Sequence, residues 1–410
     1  MNKIRLAFVK FGGLSAGGTE KFIQTIAAHL PKEEFDIRFF YTDTAPYVGS
    51  DYRHAGTNPY REAYLREHGV PLVQVAVQAK DVTRPTHDWV GTDFWKLFRE
   101  EDFDLVQTAR AGPPEFPFYQ MRRVPIVDSL HYLGGIDNQR NIARVVHTSR
   151  FSLTQWVRRG GDARRAVLVY HPIEIRPFQP IDYRREYGLQ SKFIFGFHQR
   201  DDAHIFSPMM LQAFHRIASP QNHFMILGGS ERHRQLAADL GLTNITFLPH
   251  SANPDVLYSF LSTLNVFAHG RSDGEINSTA IAEALAFGLP VVTHYTDTYN
   301  GQVEGVGDAG FAAHTVDEYT DFLKRLESNP ALYKDYSERA RHRFKDNFDL
   351  HTQVAKMRAL YHEVVANPFP NPWRRSFLAA RQRVFPRAPS WMLRRAVLRL
   401  RDWVVHFKPR

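Results

Sequence analysis

Short apolar runs alternate with longer segments of helical periodicity along most of the chain. The runs are typical of strands buried in a parallel sheet, and the segments between them are typical of helices with one apolar face. This alternation predicts an α/β fold in which parallel sheets are covered by helices on both faces. The predicted strands are residues 4–10, 35–41, 72–77, 105–108, 125–128, 144–148, 167–170, 193–197, 224–227, 245–248, 266–269, 290–293 and 310–312.

The alternation is interrupted at residues 171–180, where three prolines favour an extended connector. We therefore predict two Rossmann-like domains, residues 1–171 and 191–348, joined by a linker at 172–190. Ligands of such sheets bind beyond the carboxyl ends of the strands, so the cleft between the domains is the predicted site. The predicted helices are residues 20–30, 94–101, 153–159, 209–218, 232–240, 254–262, 278–287, 316–326, 331–348 and 350–365.

The segment 272–292 combines two acidic residues with the predicted start of a helix. Asn277 is a good N-cap, residues 280–287 are strong helix formers, and a glycine then ends the helix before a strand. Glu275 is thus predicted in the loop before the helix, and Glu283 about two turns inside it. The free amides of the helix start favour a diphosphate, flanked by carboxylates that can bind sugar hydroxyls. The alternative is an ordinary amphipathic helix with both glutamates solvated.

This segment resembles the E-x7-E motif of the retaining glycosyltransferases of family 4, which have the GT-B fold. Glu275, Glu283 and the following Gly-Leu-Pro-Val-Val at 288–292 match the motif. The resemblance implies that Glu283 holds the ribose of a nucleotide-sugar donor and that Glu275 contacts hydroxyls of the donor sugar. It also implies front-face attack by the acceptor, and a helix at 349–366 that crosses back to the first domain. The amides expected at the diphosphate are those of Asn277, Ser278 and Thr279.

Two features of the predicted first domain are expected across the cleft. The glycine-rich loop after the first strand brings backbone amides close to an anion, and Gly17, Gly18 and Glu20 resemble the G-G-x-E loop of the same family. His131 follows a predicted strand, and the resemblance places a histidine there near the transferred sugar. The alternatives are a surface turn without a ligand and a structural histidine.

Arg200 follows the first strand of the predicted second domain and is expected to bind the diphosphate. The family has a lysine five or six residues later, but this sequence has none there. Arg271 or Lys21 could supply the missing cation, or the protein could be a degenerate enzyme. The alternative for Arg200 is a salt bridge to Asp201 or Asp202.

Composition and charge narrow the class of protein. The chain has 410 residues and no cysteine, which excludes disulfides, thiol catalysis and thiolate metal sites. We predict no metal, because His198, His204 and His250 with Asp201 and Asp202 lack a recognised ligand spacing and the resemblance implies none. No cofactor is expected either, since the nucleotide-sugar is a substrate. The net charge of +9 resides in the tail, because residues 371–410 carry eleven Lys or Arg and one Asp. A nucleic-acid enzyme more often spreads its basic residues over the fold, so no nucleic-acid partner is expected.

Residues 367–410 form a predicted basic amphipathic tail. Its arginines and tryptophans fit a helix lying on an anionic membrane surface, or alternatively a helix docked on the first domain. No export signal is recognisable, so we expect a cytoplasmic protein that is peripheral on the inner face of the membrane. The expected acceptor is a glycan or lipid-linked glycan in surface polysaccharide synthesis. The alternatives are a catalytically degenerate GT-B scaffold and a GT-B nucleotide-sugar epimerase.

Overall fold

A computed structural model of the chain describes residues 2–43, 56–77, 92–111, 121–133, 141–251 and 253–367. Within these ranges the protein contains two parallel sheets flanked by helices, as the alternating pattern predicts. We call the seven-stranded sheet with its helices the first lobe and the six-stranded sheet with its helices the second lobe. The predicted basic tail at 367–410 lies, apart from its first residue, outside the described residues.

The first sheet has the strand order β3-β2-β1-β4-β5-β6-β7. β1 pairs in parallel with both β2 and β4, so the strand order reverses between β1 and β4. β1, an interior strand, is buried along nearly its whole length, which fits its almost continuous apolar sequence. The strands are β1 (Ile4–Lys10), β2 (Phe35–Tyr41), β3 (Leu72–Gln74), β4 (Leu105–Arg110), β5 (Ile126–Leu130), β6 (Ile142–His147) and β7 (Ala166–Leu168).

The second sheet repeats this topology with the order β10-β9-β8-β11-β12-β13. Here β8 pairs in parallel with both β9 and β11, which makes β8 and β11 the strands between which the order reverses. The strands are β8 (Phe193–Gln199), β9 (Asn222–Gly228), β10 (Ile245–Leu248), β11 (Val266–Ala268), β12 (Val291–His294) and β13 (Gly310–Ala313).

Helices connect the strands and cover both sheets. The first lobe contains α1 (Gly18–His29), α2 (Pro59–Glu67), α3 (Phe94–Leu97) and α4 (Arg150–Arg158). The remaining helices are α5 (Tyr183–Glu186), α6 (Met209–His215), α7 (Glu231–Asp239), α8 (Pro254–Thr263), α9 (Thr279–Ala286), α10 (Gly301–Val306), α11 (Val316–Ser328), α12 (Pro330–Asn347) and α13 (Leu350–Ala366).

Three buried clusters form the core, one in the second lobe and one on each face of the first sheet. The last helix, α13, adds Met357, Tyr361 and other side chains to a first-lobe cluster. The chain passes between the lobes twice, and the two passages run side by side, because the Ile173 amide donates to the Phe348 carbonyl at 2.9 Å. Burial of the apolar face of α13 thus ties the end of the described chain to the first lobe.

Each of the thirteen predicted strands overlaps a strand of the structure. The sequence prediction omitted three helices, α2, the four-residue α5 and α10. The start of α2 carries a recognisable signal, since the Asn58 side chain accepts from the amides of Tyr60 and Arg61 and a proline occupies the first helical position. α10 has six residues and two glycines, too short and too glycine-rich for a periodic pattern.

Candidate active site

All the predicted site residues except His131 follow strands between which the order of a sheet reverses, and His131 follows β5, next to β4. Parallel sheets bind ligands beyond the carboxyl ends of such neighbouring strands. In the first lobe β1 leads into the glycine-rich loop and α1, while in the second lobe β11 leads through Glu275 into α9. The two helix starts are close together, because a Cβ placed on Gly18 would lie 4.0 Å from the Thr279 hydroxyl oxygen.

The start of α9 corrects one prediction about its cap. Ser278, rather than Asn277, is the N-cap, and its hydroxyl accepts from the Ile281 amide at 3.3 Å. Ser278 has an extended backbone, so helical geometry begins at Thr279. Glu283 is therefore about one turn inside the helix instead of two.

Glu275 occupies a strained and buried position before α9. Its φ of 53° is in the left-handed region, which a glutamate rarely adopts. The backbone is held there by the Gly301 amide, which donates to the Glu275 carbonyl at 2.9 Å. A strained conformation that the surroundings enforce is common where a side chain must be aimed at a ligand.

The Glu275 carboxylate is surrounded by cationic and polar groups of its own lobe. Arg271 Nη1 lies 2.9 Å from one oxygen, and His269 Nε2 lies 3.2 Å from the other. Burial favours the neutral acid, but Arg271 and His269 outweigh it and lower the pKa of Glu275 to about 2. The side chain is thus a fixed anion at neutral pH.

Glu283 is equally buried but has partners in both lobes. Lys21 Nζ, from α1, lies 2.5 Å from one oxygen, and His198 Nε2, from β8, lies 3.3 Å from the other. Burial acts to raise the pKa of Glu283, whereas Lys21 and His198 hold it well below its usual range. A carboxylate of the second lobe therefore meets an ammonium of the first lobe beside the start of α9.

The glycine-rich loop ends at the start of α1. Gly17 is the N-cap of this helix in an extended conformation, and the Lys21 amide donates to its carbonyl at 2.8 Å. His171, from the connector, lies with Nε2 2.7 Å from the Gly18 carbonyl and donates to it. Burial lowers the pKa of His171 to about 4, so the ring is neutral. The loop is thereby attached to the segment that joins the two lobes.

His131 directly follows β5 and lies beside the same helix. Its ring contacts the rings of Phe22 and His171 edge to face, with centroids 5.4 Å and 6.2 Å away. Burial and the nearby His171 and Lys10 keep the pKa of His131 well below its ordinary value. Its Nε2 is buried without a hydrogen-bond partner among the described residues. A neutral imidazole with an unused nitrogen can bind a hydroxyl group.

Arg200 is in a different environment from the two glutamates. Its side chain is 57% exposed, and its Nη2 lies 2.8 Å from Asp202 Oδ2. This is the salt bridge that the sequence offered as the alternative. Both cations considered as substitutes for the absent lysine, Arg271 and Lys21, are instead paired with the motif glutamates.

Several contacts between the lobes were not anticipated from the sequence. The Glu304 carboxylate, on α10, accepts from the amides of Arg150 and Phe151 at the start of α4, at 2.7 and 2.6 Å. The Ser149 hydroxyl donates to the Ile276 carbonyl at 2.6 Å, next to Glu275. The Asn-Gly start of α10 was the available signal, but nothing in the sequence indicates which helix its glutamate would meet.

Comparison with known proteins identifies the fold. Residues 182–343 match the family model described as glycosyl transferases group 1. Among curated protein sequences none is significantly similar to this chain. No helix within the described residues combines the length and apolar character that a membrane span needs.

Solved structures resemble most of the chain at low sequence identity. A glycosyltransferase from Rickettsia africae ESF-5 is 17% identical with a TM-score of 0.70, covering 90% of this chain and all of its own. HepE from Anabaena, in complex with UDP and glucose, is 17% identical with a TM-score of 0.65 and coverages of 88% and 100%. Sucrose-phosphate synthase from Thermosynechococcus elongatus is 17% identical with a TM-score of 0.63 and coverages of 89% and 100%. The chain therefore has the predicted GT-B fold, and residues 182–343, most of its second lobe, are similar to the glycosyl transferases group 1 family.

Proposed function

We propose that the chain is a retaining glycosyltransferase that moves a sugar from a nucleotide-diphosphate donor to a glycan or lipid-linked acceptor. The observation that carries this proposal is the pair of buried, ionised glutamates on either side of the start of α9. Two permanent carboxylates beside free helix amides suit a ligand that combines sugar hydroxyls with a diphosphate.

The donor would lie along the second lobe with its diphosphate against the amides of Asn277, Ser278 and Thr279. Glu283 would accept hydrogen bonds from the ribose hydroxyls, and Glu275 from hydroxyls of the donor sugar. Lys21 Nζ lies 2.5 Å from the Glu283 carboxylate in the structure. A ribose that replaced Lys21 as the partner of Glu283 would free the Lys21 ammonium to pair with the diphosphate. This exchange supplies a cation where the family lysine is absent, and Arg200 would add a second one by leaving Asp202.

The proposed transfer reaction needs no side chain of the protein to accept or donate a proton. The acceptor hydroxyl attacks the anomeric carbon on the face from which the diphosphate leaves, and its proton passes to the departing phosphate oxygen. The helix start of α9 and Lys21 stabilise the charge that grows on the leaving group. His131 stays neutral and binds a hydroxyl of the transferred sugar, which holds that sugar for attack. No metal or cofactor is needed for these steps, so EDTA should leave the initial rate unchanged.

Similar structures guide the choice of substrates. HepE has been solved with UDP, with UDP-glucose and with UDP plus glucose. WaaG, with a TM-score of 0.57, is described as a glycosyltransferase of lipopolysaccharide biosynthesis. These likenesses support a UDP-sugar as the first donor to test and a lipid-linked glycan as the first acceptor. The likeness to WaaG also favours a role in surface polysaccharide synthesis. The cytoplasmic side of the membrane is proposed from the sequence alone.

The test is incubation with UDP-, GDP- and ADP-sugars and a lipid-linked glycan fraction, with analysis of nucleotide and product. Release of nucleoside diphosphate together with a product of unchanged anomeric configuration is expected. Inverted configuration would refute the retaining mechanism, and an epimerised sugar would identify an epimerase. Failure to bind any nucleotide in a thermal-shift screen would favour the scaffold alternative.

Membrane attachment is proposed from the sequence of the tail and has its own test. The full chain should sediment with vesicles containing anionic lipids but much less with neutral ones. Deletion of residues 372–410 should abolish this sedimentation. Equal sedimentation of the full and shortened chains would exclude the tail as the membrane anchor.

A further inference from the structure

Two histidines and a glutamate meet on the first lobe, away from the proposed donor site. His29 is the last residue of α1, His68 directly follows α2, and Glu174 belongs to the connector between the lobes. Each offers one ligand atom, and these atoms lie within 4.8 Å of one another. It is the one such group of His, Asp and Glu among the described residues. Along helix α1 it is about 17 Å from Gly18 and about 12 Å from Lys21, the two residues of α1 that border the donor site.

The distances within this group fit a small tetrahedral ion. His29 Nε2 lies 3.3 Å from Glu174 Oε1. Two ligands about 2.0–2.1 Å from a tetrahedral Zn²⁺ ion are about 3.3 Å apart, so this pair is already at the required separation. The third ligand atom, from His68, needs a movement of about 1–2 Å, which rotation of a partly buried side chain can supply.

Tyr64 contacts all three proposed ligands. Its hydroxyl donates to Glu174 Oε2 at 2.8 Å and accepts from His29 Nε2 at 3.1 Å, so it holds both members of the closest pair. Its backbone carbonyl lies 2.8 Å from His68 Nδ1 and accepts a hydrogen bond from it. A histidine that donates from Nδ1 carries its lone pair on Nε2, the form that binds a metal. A carbonyl or carboxylate behind each ligand is the usual support of metal-binding histidines.

We propose that His29, His68 and Glu174 form a binding site for a divalent transition ion of the Zn²⁺ type, with water in the fourth position. Imidazole and carboxylate ligands in this number suit Zn²⁺ better than Mg²⁺ or Ca²⁺, which prefer oxygen ligands. The ion would replace the proton on His29 Nε2.

The site would stabilise the connector. Glu174 also accepts through its carbonyl from the Tyr258 hydroxyl of α8, at 2.9 Å, so the same residue contacts the second lobe. An ion that joins α1, α2 and Glu174 therefore fixes the point at which the chain leaves the first lobe. Its effect is on stability rather than on the transfer chemistry, which lies at the other end of α1.

The test is titration of the purified full-length chain with Zn²⁺ by calorimetry, and with Co²⁺ by visible absorption. One strong site per chain, a Co²⁺ spectrum of low coordination number and a rise in Tm of a few degrees are expected. His29→Ala and His68→Gln should each weaken Zn²⁺ binding at least about 100-fold, because losing a direct ligand weakens binding more than losing a residue that only orients a ligand. Tyr64→Phe, which removes only the support, should weaken it about 10-fold.

His362→Ala is the matched control. His362 Nε2 lies 2.9 Å from Glu34 Oε2, a similar histidine–carboxylate pair with no third ligand from the part of the chain that the structure describes. This variant should retain the strong site. Equal Zn²⁺ affinity of wild type, His29→Ala and His68→Gln, or no strong site in the wild type, would overturn the proposal. The Tm of each variant is also measured without metal. A value close to that of the metal-free wild type shows that the variant is folded and that its weaker binding reflects the lost ligand. None of these readouts depends on glycosyl transfer.

Discussion

The two glutamates of the E-x7-E segment have the same burial but different surroundings. Both ion partners of Glu275, Arg271 and His269, come from the second lobe within six residues of it in sequence. Glu283 instead pairs with Lys21 of the first lobe, 262 residues away, and with His198 of its own. One carboxylate is organised within a single loop, whereas the other depends on how the lobes meet.

This difference suggests that the two glutamates have different roles in the proposed reaction. A group that must hold the reacting sugar benefits from a fixed position that does not change as ligands enter. A group at the lobe junction can exchange its protein partner for a ligand and so report whether the donor is present. Under the proposed function, Glu275 should determine the rate of transfer, and Glu283 should couple donor binding to the approach of the lobes.

The largest effect is expected from Glu275→Gln. The variant keeps the shape of the side chain but removes the charge that Arg271 and His269 surround. We expect kcat to fall about 10²–10³-fold with a smaller change in the KM of the donor, because the lost interaction acts on the reacting sugar. Steady-state kinetics with the donor identified above measures both parameters.

The control for this variant is Asp273→Asn. Asp273 shares Arg271 with Glu275, at 2.6 Å, but its carboxylate is much more exposed. It should lose little activity, since Arg271 keeps its buried partner. Near-normal turnover of Glu275→Gln, or an equal loss in both variants, would contradict the role of Glu275. Glu275→Ala should likewise lose turnover while its circular dichroism spectrum remains that of the wild type.

Acid unfolding provides the second test of the comparison. The pKa of Glu275 is lowered from 4.5 to about 2 in the folded chain, so the stability it contributes is present above pH 4.5 and disappears as pH falls through about 2. A shift of this size corresponds to about 3 kcal/mol. Denaturant melts at several pH values should show Glu275→Gln less stable than wild type at pH 6 by about this amount, with the gap closing near pH 2.

Lys21→Met should change how the free energy of unfolding falls at acid pH, because it removes a partner of Glu283. Without Lys21 the pKa of Glu283 rises, because burial is then opposed by His198 alone. Stability should therefore begin to fall at a higher pH than in the wild type. An acid limb that is unchanged in both variants would show that neither carboxylate is stabilised as its contacts indicate.

The KM of the donor should respond to Lys21 in variants of Glu283 but not in variants of Glu275. Glu283→Gln is expected to lower kcat/KM about 10- to 100-fold, mainly through the KM of the donor, by weakening a hydrogen bond to an ionised group. Combined with Lys21→Met it should show a clear coupling energy, because the two side chains are 2.5 Å apart. Lys21→Met combined with Glu275→Gln should be additive. The reverse pattern would refute the distinction between the two sites.

Features of the site that depend on residues close together in sequence could be predicted, whereas features that depend on distant residues could not. The strands, the glycine loop and the helix that follows Glu275 depend on local signals, and each was predicted close to its observed position. The cap was assigned one residue early because Asn277 and Ser278 are both good caps, and only the structure shows that the Ser278 hydroxyl accepts from the Ile281 amide. The strained backbone of Glu275 has no sequence signal, since glutamate is rare at positive φ.

The contacts between lobes could not be predicted in the same way. Lys21 was one of two candidate cations, but only the docking of α1 against α9 places it beside Glu283. The salt bridge of Arg200 to Asp202 is a local contact, two residues apart, and it was foreseen as an alternative. Which long-range partner a side chain meets depends on the packing of both sheets, which no single segment specifies.

The smallest effect is expected at a contact between the lobes that lies away from the proposed chemistry. The Glu304 carboxylate accepts from two amides at the start of α4 and from the Tyr170 hydroxyl at 2.8 Å. Glu304→Gln keeps one acceptor oxygen but removes the negative charge from the helix start, a loss of about 1 kcal/mol. If the lobe junction tunes donor binding through Glu283, the KM of the donor should rise two- to threefold, which is less than the about fivefold change that the full energy would give, while kcat stays constant.

Glu318→Gln serves as the matched variant for this weak effect. Glu318 also accepts from a backbone amide, that of His314 at 2.7 Å, but donor and acceptor both belong to the second lobe. It should cost similar stability and leave the KM of the donor unchanged. An equal rise of KM in both variants would show that the Glu304 effect reflects general loosening of the protein. A rise in Glu304→Gln alone would link the contact between α10 and α4 to Glu283, the carboxylate that depends on how the lobes meet.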